Sequence, residues 1–193
     1  MLSALPSATQ QLVARVQTGY TFGSPFPIDG GRARIKDGAM WSGGIAYFFD
    51  DFKGAEFSYN YQSTLVKAQS VLIQGGKFEN QVNIHYVMAG LSSRRPLSPK
   101  SDLMGGLKIG AVIFDPVQSS FDPVTRFAVG FSSGFNYYIS NIVGLNAGLN
   151  LLMPVLDVNG FVWWSPGNGI NVDLASSTPF VQFSFVTGLS FRL

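Results

Sequence analysis

Eight segments of this 193-residue chain alternate apolar and polar residues with a period of two. That period is the mark of β-strands, whose successive side chains point to opposite faces. It limits the chain to architectures that can accommodate eight two-faced strands. In the clearest segment Phe57, Tyr59, Tyr61 and Leu65 alternate with Glu56, Ser58, Asn60, Gln62 and Thr64. Strands are predicted over about 10–22, 40–49, 55–66, 78–90, 103–114, 125–137, 143–151 and 179–193. Loops or turns are predicted over 23–38, 50–54, 92–101, 115–123, near Ser140 and over 154–178, each carrying Gly, Pro, Asp or Ser punctuation. Residues 67–77 extend the third strand and return through Gly75 and Gly76.

A soluble sandwich would bury the apolar face and cover the other with Lys and Glu. Here the second face holds Gly, Ser, Asn and Gln with a few charges, and only 12% of all residues are charged. That suits the narrow interior of a closed barrel whose apolar face meets lipid. Closure is also required on physical grounds, because an unpaired strand edge in hydrocarbon costs several kcal/mol per group. No run of about 18 apolar residues predicts a helical span. The chain has no cysteine, so thiolate metal sites and disulfides are excluded, and no acidic spacing reads as a calcium loop. A net charge of +2, from scattered residues, gives no nucleic-acid stripe.

The last stretch, PFVQFSFVTGLSFRL, places Phe183, Phe185, Leu189, Phe191 and Leu193 on one face and ends on an apolar residue. Gly188, Phe191 and Leu193 match a Gly-x-x-aromatic-x-apolar terminal signal. In this and in its strand pattern the chain resembles the small eight-stranded outer-membrane β-barrels of the OmpA/OmpX type, across its whole length. The resemblance implies a single 1–193 domain in the outer membrane of a Gram-negative-type bacterium, read by the barrel-assembly machinery at the terminal signal. It implies both ends and the short turns on the periplasmic side, long loops outside, and no single activity. The sequence shows no signal peptide at Met1-Leu2-Ser3-Ala4, so it is read as a mature form with an initiator Met.

Arg15, Glu56, Glu79, Lys108, Arg126 and Arg192 are expected to face the lumen and to pair there, because isolated charges are costly in a confined interior. Arg15, Glu56 and Arg192 should form a lower cluster. Glu79 should approach Arg126 near the top, with Lys108 within reach of either group. His85, with Gln81 and Asn83, is expected inward as a polar site. A catalytic role for it would need a nucleophile from another strand, such as Ser58 or Ser132. Arg32, Arg34, Lys36, Trp163 and Trp164 are loop candidates for contact with lipopolysaccharide, membrane lipid, or an extracellular protein or glycan partner. No cofactor or metal is expected. The leading function is a structural or interaction barrel acting through its long loops. A narrow channel through the charged lumen and a lipid-modifying enzyme using His85 are the alternatives.

Overall fold

The computed structural model describes residues 11–28, 31–70, 77–117, 122–155 and 181–193. Among these residues the strands are β1 (Gln11–Thr21), β2 (Ser24–Ile28), β3 (Gly31–Ile35), β4 (Gly38–Phe48), β5 (Lys53–Ser70), β6 (Lys77–Ser98), β7 (Ser101–Pro116), β8 (Val124–Tyr138), β9 (Val143–Val155) and β10 (Gln182–Arg192). All pairings are antiparallel. β1, β4, β5, β6, β7, β8, β9 and β10 pair in that order, and β10 returns to β1, so eight strands close a barrel. The closing seam runs from Val13 opposite Arg192 to Thr21 opposite Ser184.

Short turns at 49–52, 99–100 and 139–142 gather at one end. Two of them are fixed by a side chain that mimics the backbone. Asp50 Oδ1 accepts from the N–H groups of Phe52 and Lys53 at 2.7 Å each. Ser140 Oγ accepts from the N–H of Val143 at 3.0 Å. The 92–101 turn expected from its prolines is instead mostly strand. Pairing continues to Ser98 opposite Ser101, with an irregularity at Pro96 that absorbs its missing N–H.

The opposite end differs more from expectation. Residues 24–28 and 31–35 pair as β2 and β3 rather than lying in a loop, and β3 continues the line of β4 along the upper edge of β5. Pro25 and Pro27 lie on β2, an edge strand, where a residue lacking a donor is tolerated. This sheet of β2, β3, β5 and β6 extends the wall beyond the ring.

The outer face carries exposed Val16, Trp41, Ile45, Phe57, Leu107, Ile109, Phe127, Phe131, Leu145 and Phe185 around the barrel. An apolar belt this continuous far exceeds the patches that soluble proteins expose, and it matches a barrel seated in hydrocarbon.

Candidate functional sites in the lumen and on the outer wall

The interior has two halves of different chemistry. In the half nearer the short turns, Glu56 stands between two cations. Its Oε1 lies 2.6 Å from Lys108 Nζ and its Oε2 lies 2.6 Å from an Arg15 guanidinium nitrogen. The Lys108 contact is an aligned hydrogen bond, whereas the Arg15 contact is an ion contact without hydrogen-bond alignment. The three side chains are 3–9% exposed, so water screens them little. Lys108 also reaches Ser58 Oγ at 3.3 Å. The cavity beside them, about 20 Å³, has room for one water.

Arg192 does not join this cluster. It meets Asp102 at 3.1 Å, and its guanidinium carbon lies 3.3 Å over the Tyr138 ring. From Asp102 a chain of amides crosses the lumen. Asn136 donates to Asp102 at 2.6 Å, Asn146 donates to Asn136 at 2.6 Å, and Gln17 donates to Asn146. Arg94, another buried cation, donates to Gln11 and lies 4.7 Å over the Phe48 ring. A turn over 92–101 and a strand beginning at 103, as the sequence reads, leave Arg94 and Asp102 out of the lumen.

The half nearer the long loops is largely apolar, with Thr64 and Asn80 buried among its side chains. Val66, Val82, Ile84, Tyr86, Met88, Val112, Phe114, Ala128 and Leu152 fill it, continuous with Ala33 and Ile35 on β3. At the junction Tyr86 donates to Gln182, and Gln182 donates to Gln62 at 3.1 Å. The strand period of β6 is as read, but its facing is the reverse. Val82, Ile84, Tyr86 and Met88 point inward, while Glu79, Gln81, Asn83 and His85 lie on the outer side. Burial against Val112 and Phe114 outweighs the rule of a polar lumen at this height.

Glu79 is therefore paired with Lys67 on the outer surface at 2.6 Å, each side chain being nearly half exposed. Arg126 instead donates to the Thr125 carbonyl at 3.0 Å. His85 Nδ1 lies 2.7 Å from the Tyr59 hydroxyl, and its ring is 5.1 Å from that of Tyr61. Tyr61 donates to Asn83 at 3.1 Å, and Gln81 donates to Ser63 at 3.1 Å. These cross-strand pairs form a polar ladder along β5 and β6. Ser58 and Ser132 lie on the inward face, so the wall separates His85 from either nucleophile.

Arg32 and Arg34 are exposed on β3, and Lys36 follows on the same side, while Ala33 and Ile35 point into the core. Arg34 is the cross-strand partner of Lys67. Asp37 sits beside them, its carboxyl held below the usual carboxylate range by the Tyr20 hydroxyl, its own backbone and the Lys36 and Arg34 charges. Trp163 and Trp164 lie outside the described residues. Gly188 faces inward opposite Gln17, where a Cβ would collide with the Val16 carbonyl. Leu193 donates its N–H to the Leu12 carbonyl at 2.9 Å, and Phe191 lies on the outer side.

No protein-family model matches the sequence, and the curated proteins give no match either. Solved structures do. The outer membrane protein OprG from Pseudomonas aeruginosa superposes with a TM-score of 0.67 at 16% identity, over 96% of this chain and 97% of that one. Neisserial surface protein A gives 0.56 at 12% identity, over 93% and 97%. The outer membrane protease OmpT from Escherichia coli gives 0.53 at 10% identity, over 99% of each chain. The fold is that of the outer-membrane β-barrels, one that carries different activities in different proteins.

Proposed function

We propose that this protein is an integral outer-membrane barrel with a closed interior, acting at its extracellular end on the phosphate groups of lipopolysaccharide. The long-loop end is then extracellular and the short turns periplasmic. The observation that carries the reading is the cation row on the extended sheet. Arg32, Arg34 and Lys36 occupy alternate positions on one strand side, spaced about 7 Å apart, and Lys67 stands opposite Arg34. Among the described residues the acids on and beside this strip are Glu79, engaged with Lys67, and Asp37. The strip lies just above Leu65 and Tyr61, where the apolar belt ends. Anionic headgroups of the outer leaflet lie at that height, and guanidinium groups match phosphate in geometry as well as charge.

The interior supports the same reading. An ion crossing it would have to displace a buried charge cluster and then pass an apolar plug. Such a path is unfavourable at both levels. His85 supports a belt or structural role better than catalysis, because its contacts are two tyrosines.

Binding of purified full-length protein to lipid A with both phosphates, and to dephosphorylated lipid A, tests the proposal. The phosphorylated form should bind several-fold more tightly, and Arg32→Gln with Arg34→Gln should remove the difference. Equal binding of both forms would overturn the phosphate assignment. Steady ion conductance in planar bilayers would favour the channel alternative.

A further inference from the structure

We propose that a groove on the lipid-facing wall, at the short-turn end, binds an anionic phospholipid of the periplasmic leaflet. The inference rests on the membrane placement proposed above but is independent of the cation strip. The groove encloses about 500 Å³. Lys53, Ser93 and Gly105 are successive cross-strand partners and form its low row. Leu91 and Leu107 rise beside that row, and Phe49 closes one end.

The small residue at Gly105 is not demanded by the barrel wall. A Cβ there meets nothing nearer than Ser93 Oγ at 3.5 Å and the Ser132 carbonyl at 3.7 Å, which are ordinary contacts. Gly110, on the same strand, is different, because a Cβ there would collide with the Val87 carbonyl. Gly105 therefore keeps space open on the outside rather than relieving a clash within the sheet. Ser93 turns its hydroxyl to the Gly105 carbonyl at 3.3 Å, which leaves a largely apolar floor.

The groove's charge selects the occupant. Lys53 lies at its end, and Arg95 is exposed on the same face one outward position nearer the turn. Neither forms an ion pair among the described residues. The neighbouring Asp50 carboxylate is taken up by two backbone N–H groups, and Asp51 lies in the same turn. An acyl chain along the groove would place its phosphate against Lys53 and Arg95 at the periplasmic interface. Two cations favour a net-negative headgroup over a zwitterionic one whose ammonium they repel.

The test is native mass spectrometry of the full chain in detergent, titrated separately with phosphatidylglycerol and phosphatidylethanolamine. The wild type should retain one phosphatidylglycerol in preference to phosphatidylethanolamine. Gly105→Leu should lower that retention about tenfold, equivalent to about 1.4 kcal/mol. Lys53→Gln with Arg95→Gln should abolish the headgroup preference. Ala147→Leu, which adds the same side chain to the outer face of β9, outside the groove, should change nothing. If Gly105→Leu fails to assemble, Ser93→Leu fills the same row. Undiminished retention by the filled-groove variant, or equal loss with Ala147→Leu, would overturn the site. Either result leaves the lipid A comparison intact, and phosphate-independent lipid A binding would leave this site intact.

Discussion

Replacing Glu56 by Gln should lower the barrel's thermal stability more than replacing any exposed carboxylate. The change is nearly isosteric, so packing is preserved and electrostatics carry the effect. Glu56 accepts Lys108 and faces Arg15, both at 2.6 Å, with all three side chains at or below 9% exposure. After the substitution two buried cations face each other without a counter-charge. Unpairing a buried ion pair costs about 3–5 kcal/mol. The glutamine oxygen still accepts one hydrogen bond, and the adjacent cavity of about 20 Å³ admits a water, so the lower figure applies. At about 2–4 °C per kcal/mol for a chain of this size, a loss of about 3 kcal/mol lowers Tm by roughly 6–12 °C. The assay is the temperature at which detergent-folded protein loses its fast, unboiled mobility on a gel. Glu79→Gln is the control, since its pair with Lys67 is exposed and such pairs contribute about 0–1 kcal/mol. Equal midpoints for the two variants would refute the reasoning, because they would show the Glu56 cluster to be solvated.

Ile84→Ala should destabilise the same protein by about 2–5 kcal/mol in that assay, since it opens a cavity in the apolar plug; Ile45→Ala on the lipid side should cost much less. Asp50 carries a depressed pKa, because the N–H groups of Phe52 and Lys53 bond its carboxylate. Its stabilisation is therefore complete above the ordinary carboxylate range and is lost as pH falls through the lower folded value; Asp50→Asn should flatten that acid limb of a pH–stability profile. Deleting residues 191–193 removes the Arg192–Asp102 contact and shortens the β1–β10 seam. Insertion in cells should then fall more than refolding in detergent, and equal insertion of truncated and full chains would contradict a role in assembly.

Much of the barrel is legible because one rule, apolar outward and small or polar inward, holds on most of its strands. Glu56 to Gln62 on β5, and Gly144 to Asn150 on β9, follow it residue by residue. The rule reverses on β6 from Val82 to Met88, at the height of Ser58 to Thr64 on β5. There the inner face packs as a core with Val112 and Phe114, and the outer face carries the polar ladder of Gln81, Asn83 and His85. Val82, Ile84, Tyr86 and Met88 fit either facing, so periodicity gives the strand but not its phase. Charge supplied the missing signal. Lys67 shares the outward parity of Tyr59 and Tyr61, and the β5–β6 pairing sets Glu79 opposite it. An oppositely charged cross-strand pair belongs on one face. Arg94 and Asp102 were obscured for another reason. Pro96 and Pro99 read as turn punctuation, whereas the strand tolerates Pro96 at a break in register.

The inward residues of upper β6 close the interior. The sequence has no cysteine, so single cysteines placed at 81 through 88 can be spin-labelled without background. Electron paramagnetic resonance of the folded protein in bilayers then reads mobility and collision with oxygen at each position. Labels at 82, 84, 86 and 88 should be immobile and protected, whereas labels at 81, 83, 85 and 87 should be mobile and accessible to oxygen or to a water-soluble relaxant. The opposite alternation, or high aqueous accessibility at the even positions, would contradict a barrel closed by an apolar plug.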